Sequence, residues 1–277
     1  MTFSDLEVAV SQAPRKHGYI RDNIRTIWTP GAGKTQHAYS RELAGAMLWE
    51  ADEFFDRALT LYLLRNNLRE LQASTWAGVV TYYANYFLAL SFIRLHMRSV
   101  THLPTGAVFE VTRTDDATPF FKIQERSRRQ RHMEVWDAYY DVVTQMAWPD
   151  STTVKEVAPT VSSLRFREQM YRERINYRPG EGFEEIYITR SRYLRSLKAE
   201  LMDDGRAPLT LSDAAYTDRM AAERLKHLAT LLHRLSDSRI DVDVEDSVWR
   251  RRRGIVTKYT SEQAGRRLGE LLIGTAA

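Results

Sequence analysis

Hydrophobic positions recur at helical spacing over most of the chain. In residues 40–66, SRELAGAMLWEADEFFDRALTLYLLRN, apolar side chains stand at 43, 47, 54, 58 and 61, and no proline interrupts them. This is the recurrence of one helix face. Ser40 occupies the place of an N-cap, with a carboxylate, Glu42, two residues on. NNLRE at 66–70 predicts a short break. A second helix is predicted through 72–99, nearly all-round hydrophobic from Trp76 to Leu95. That pattern predicts the buried central helix of a bundle, with Gly78, Ala84 and Ala89 admitting close neighbours.

The period then changes. Two short β-like runs, AVFEV at 107–111 and PFFKI at 119–123, flank TRTDDAT and predict a hairpin inserted near 107–124. Helical spacing resumes at 132–146 and ends at Trp148-Pro149. A linker-like STTVKEVAPT precedes a helix over 162–178 that Pro179-Gly180 closes. Further helices are predicted at 191–202, 213–235 and 261–272, with a charged segment at 239–254 between the last two. The fold class is therefore mainly α with a small inserted β-hairpin. Residues 1–39 form an N-terminal segment, 40–180 a helical bundle, and 181–277 a C-terminal helical extension.

Composition adds little to this until the bases are sorted. The 277 residues carry a net charge of +4 and no cysteine, which excludes disulfides and thiolate metal sites and fits a cytoplasmic protein. No apolar run reaches the ~18 residues of a membrane span, and MTFSDLEVAV lacks the basic start of a signal peptide. Of the 40 basic residues 33 are arginine, whose planar fork suits phosphate contacts; a GC-rich genome accounts for the bias equally well. GAGKT at 31–35 imitates the end of a phosphate-binding loop. Its first glycine is replaced by Trp28, and no buried strand precedes it. Nucleotide binding there is the remote reading, and a turn before the long helix is the nearer one. The histidines at 96 and 102 read as surface or capping residues. WRRRRG at 249–254 reads as a solvated charged run, with nucleic-acid contact the sharper alternative.

The helix at 164–178, LRFREQMYRERINYR, carries the most chemistry. At 100° per residue, Arg165, Arg172 and Asn176 fall near one line, with Gln169 and Glu168 beside it. Apolar residues border that line on both sides, and Arg167, Glu173, Arg174 and Arg178 lie opposite. A polar stripe between two apolar ones faces an interface or a cleft, where arginines need carboxylates or phosphates. Pairing of Arg165 and Arg172 with Glu50, Asp52 or Glu53 is the structural reading; phosphate binding is the functional one.

The aromatic- and alanine-rich WAGVVTYYANYFLALSFIRLH, followed later by RERINYR, resembles the HEPN superfamily, all-α bundles of prokaryotic toxin and antiviral systems. The resemblance covers about residues 40–180. It implies a HEPN-like bundle that pairs as a homodimer or with a partner subunit, and metal-independent action on RNA with no cofactor. In active members an arginine is followed four to six residues later by a histidine; the arginine stabilises phosphate charge and the histidine moves a proton. Here Arg172 keeps the arginine's place, while Asn176 and Tyr177 stand where the histidine is expected. Tyrosine, with a pKa near 10, is a poor base at neutral pH, and asparagine transfers no proton. Arg126 and His132, in RSRRQRH, have the family's spacing and form a second candidate. Two readings stay open. One is an RNA- or partner-binding subunit with little or no catalysis, in which Arg165, Gln169, Arg126 and His132 hold phosphate. The other is a metal-independent endoribonuclease working through Arg172, Tyr177 and Asn176.

Overall fold

A computed structural model of the chain describes residues 19–31, 33–70, 73–114, 118–126, 131–145, 167–177 and 213–237, and residue 252. In chain order these form α1 (Ile20–Ile27), β1 (Thr35–Tyr39), α2 (Arg41–Glu70), α3 (Ser74–Leu95) and β2 (Arg98–His102). There follow β3 (Val108–Arg113), β4 (Phe120–Arg126), α4 (Arg131–Gln145), α5 (Arg167–Tyr177) and α6 (Asp213–Asp237). The described residues are thus mostly helical, with one small antiparallel sheet.

Ser40 caps α2 as its position predicts: its Oγ accepts the Leu43 N–H at 3.0 Å. The break expected at NNLRE is absent, and α2 runs on to Glu70. Its last turns are held from outside. Arg65 and Arg69 both donate to Asp218 Oδ1 on α6, at 2.5 and 2.9 Å. The weak helix preference of two asparagines, a few tenths of a kcal/mol to about 0.7 each, is overridden by this buried pairing.

The all-round hydrophobic helix is central, as its pattern predicts. α3 packs against α2, α4, α5 and α6, and Tyr82, Ala84, Leu88, Ala89 and Ile93 are fully buried along it. Ser91 Oγ donates to the Ala51 carbonyl at 2.8 Å, so the backbones of α2 and α3 lie close. Burial starts only at Ala77, since Trp76 is 65% exposed. At its C-terminus His96 caps from the inside: the residue is buried, with Nδ1 2.8 Å from the Phe92 carbonyl. Met97 turns the chain out in the left-handed region, φ 53°, a place usually taken by glycine.

The expected hairpin is the middle of a larger sheet. β3 and β4 pair with Val111 opposite Ile123, and the order is β1-β4-β3-β2. The flanking strands TQHAY and RSVTH alternate burial without an apolar run, so hydrophobicity alone does not reveal them. Gly31 and Gly33 adopt φ of 86° and 99° and lead into β1. A phosphate loop needs a helix N-terminus after its lysine; here Lys34 precedes an edge strand.

α6 lies within the segment read as a C-terminal extension, and its Tyr216, Met220, Ala221, Leu225 and Leu228 join the same core as α2, α3 and α4. Arg252 corrects the reading of WRRRRG at the one position described. It is 2% exposed, pairs with Asp52, and donates from Nε to Asp56 Oδ1 at 2.7 Å. The linker expected at 151–160 and the helices expected at 191–202 and 261–272 lie outside the described residues. No helix among the described residues is long and apolar enough to cross a membrane.

Candidate phosphate-binding site

α5 reaches the bundle through a small-residue gap. A Cβ at Gly78 of α3 would come within 2.9 Å of the Tyr171 hydroxyl and 3.1 Å of Ile175 Cδ1. The glycine therefore lets Tyr171 and Ile175 pack with Val79 into a small apolar cluster. The exposed line of α5 is Met170, Glu173 and Asn176, so Asn176 faces water and does not share Arg172's environment. Gln169 is buried, with Nε2 donating to Glu173 Oε1 at 2.9 Å, which turns it away from a phosphate role. The Tyr177 side chain and the whole of Arg165 lie outside the described residues.

Glu168 fixes the rotation of α5. Arg224 of α6 grips it with both nitrogens, Nη1 to Oε1 at 2.6 Å and Nη2 to Oε2 at 3.0 Å. The same guanidinium donates to Asn85 Oδ1 at 2.7 Å and to the Tyr139 hydroxyl at 3.0 Å. Burial lowers the Arg224 pKa, but Glu168 and the surrounding groups outweigh it and push it well above the ordinary value. The cluster ties α5 to α3, α4 and α6 in one contact, with both charges paired as buried charges require.

With α5 so fixed, Arg172 lies over the tyrosines of α3. Its Cζ is 5.6 Å from the ring centres of both Tyr82 and Tyr83, and Nη2 donates to the Tyr83 hydroxyl at 3.3 Å. Of the acids proposed as structural partners, Glu50 pairs with Arg94 and Asp52 with Arg252.

His132, in the first turn of α4, comes to the same tyrosines from a second helix. Its Nδ1 is 2.7 Å from the Tyr82 hydroxyl, and its ring centre is 4.5 Å from that of Tyr86 and 6.3 Å from that of Tyr83. Burial lowers the imidazole pKa, the Arg172 charge lowers it further, and Glu173 opposes both weakly. His132 is therefore neutral at pH 7. Tyr82 is a neutral hydroxyl, its pKa raised far above the ordinary value by burial. Where that hydroxyl donates to Nδ1, Nε2 carries the proton and is a donor for a phosphate oxygen. In the other tautomer Nδ1–H donates and Nε2 is a base.

Arg126 does not join this group. It pairs with Glu110 Oε2, with Nε at 2.8 Å, while Arg98 holds Oε1 at 2.7 Å. Burial works to raise the Glu110 carboxyl, and the two arginines outweigh it and hold it below the ordinary value. The candidate pair Arg126–His132 is thus divided: the arginine braces the sheet and the histidine meets the tyrosines that Arg172 overlies. Among the described residues no cluster of three histidine or acidic side chains is arranged to hold a metal.

Three tyrosines were missed as site residues. Tyr82, Tyr83 and Tyr86 sit in TYYANYF on the helix predicted to be buried, where an aromatic ring counts as core. The usable signal was hydroxyls at i, i+1 and i+4 of an otherwise apolar stretch, since a buried phenol needs a partner. No protein-family model, no curated protein and no solved structure matches the chain.

Proposed function

We propose that the protein binds RNA through Arg172 and His132, on a platform of Tyr82, Tyr83 and Tyr86. One observation carries the reading. Two residues 40 positions apart, singled out separately as phosphate ligands, meet the same tyrosines from two different helices. A guanidinium gives paired donors to a phosphate, an imidazole Nε2–H adds a third, and the partly exposed rings of Tyr83 and Tyr86 suit unstacked bases of single-stranded RNA, while the buried Tyr82 positions the imidazole. Because one protomer supplies both groups, binding needs no second copy. The setting in prokaryotic defence, and the HEPN-like identity of the bundle, rest on the resemblance of the α3 and α5 sequences alone.

A second reading, metal-independent RNA cleavage, is favoured by the neutral His132 beside a guanidinium. A base with a charge-stabilising partner is the minimum for transfer of a 2′-hydroxyl proton.

Histidine-labelled NMR tests the reading. Adding a short single-stranded RNA should shift the His132 ring resonances and raise their titration midpoint. Resonances unmoved at saturating RNA refute it. End-labelled RNA kept intact in excess chelator supports the binder, and cleavage lost in His132→Ala supports the second reading.

A further inference from the structure

At the β1–β4 end of the sheet, one face joins exposed rings to basic groups. Side chains alternate along a strand. Phe121 and Ile123 of β4 are fully buried in the core, so Phe120, Lys122 and Gln124 lie on the opposite face. β1 adds to that face through its register, which sets Tyr39 opposite Phe120 and His37 opposite Lys122. Phe120 and Tyr39 are 37% and 54% exposed. His37 stacks on Phe120, with ring centres 5.9 Å apart. Tyr39 is held by its edge, where the hydroxyl accepts Arg41 Nε at 2.8 Å.

The charges at this corner suit an anion. Lys122 stands between His37 and Thr112 in the register, and no ion pair engages it among the described residues. Among the described strand residues of this face the one carboxylate is Glu110, and Arg98 and Arg126 hold its two oxygens. Glu42, next to Arg41 in the chain, accepts the Ser40 hydroxyl at the start of α2. Lysine is depleted from the cores of protein interfaces, so Lys122 among these rings argues against a protein partner. Bases of single-stranded RNA stack on aromatic side chains, while basic groups follow the backbone.

We infer that the β1–β4 corner is a second contact surface for single-stranded RNA, with bases on Tyr39 and Phe120 and phosphates on Lys122 and Arg41. The inference rests on the RNA-binding reading for the class of ligand and extends it to a longer stretch of strand. Among the described residues, none of this group bonds to or stacks on Tyr82, Tyr83 or Tyr86, so the two surfaces can be tested apart.

His37 reports on this corner as His132 reports on the other site, and histidine-labelled NMR of the full chain reads both. Saturating single-stranded RNA should shift the His37 ring resonances, through a base stacked beside Phe120. Duplex RNA of the same sequence, whose bases stay stacked on one another, should shift them less. The His37 shift should persist in Arg172→Ala at saturation. Tyr39→Ala and Lys122→Glu should each weaken RNA binding about fivefold or more, while His132 still shifts at saturation. His37 unmoved while His132 shifts overturns this inference alone. His132 unmoved while His37 shifts overturns the Arg172–His132 reading and supports this one; neither moving overturns both. Equal shifts with duplex RNA, or wild-type affinity in both folded variants, also overturn the inference. So does an RNA-free dimer that Tyr39→Ala dissolves, which would give the corner to a second copy of the chain.

Discussion

At the residue scale, His132 sets the chemistry. Its pKa lies below the ordinary 6.5 because it is half-buried beside Arg172, and a bound phosphate raises it again. Binding then takes up a proton, so affinity rises as pH falls through the titration of the bound imidazole. His132→Gln should flatten that dependence in a binding titration over pH. His96 makes a different prediction. Burial drives its pKa down to about 4, against the weaker effect of its bond to the Phe92 carbonyl. Below pH 6.5 the unfolded chain takes up a proton that the folded chain refuses, so stability falls with pH and levels off near pH 4. The loss by pH 5 is about 2 kcal/mol, visible as a lower urea midpoint that His96→Gln largely abolishes. Arg172 was legible from its place in a polar stripe, and His132 from spacing. Their meeting was not, because it depends on how two helices separated in sequence dock on a third.

At the element scale, α5 is placed by one buried ion pair and one glycine. Glu168→Gln leaves Arg224 buried without its counter-charge and should cost about 3–5 kcal/mol, read as a drop in unfolding free energy. Gly78→Val puts carbon where Tyr171 and Ile175 now pack and should cost about 1–3 kcal/mol. RNA binding should weaken with it, although Arg172 is intact. The helices themselves were legible from period and caps, as Ser40 and the run from Ala77 to Leu95 show. β1 and β2 were not, since edge strands such as TQHAY and RSVTH bury only alternate residues and hold few apolar ones. The uninterrupted α2 was hidden for another reason: Asp218, which holds its end, lies some 150 residues away in sequence.

At the scale of the whole molecule, arginine is used in two ways. Arg65, Arg94, Arg224 and Arg252 are internal, each meeting a carboxylate of another element. The arginine bias therefore reports the assembly of the core as much as any nucleic-acid surface, and net charge alone did not separate these uses. Arg172 is half-buried over two tyrosine rings, at a site shared with a titratable imidazole. The proposed RNA site rests on this pair. Equilibrium binding of a labelled single-stranded RNA in excess chelator, at several salt concentrations, tests it most directly with wild type beside Arg172→Ala and His132→Ala. Wild type should bind, and each variant at least tenfold more weakly. The Arg172→Ala salt slope should be smaller by about one, with both variants still folded. Wild-type affinity and salt dependence in both folded variants would contradict it.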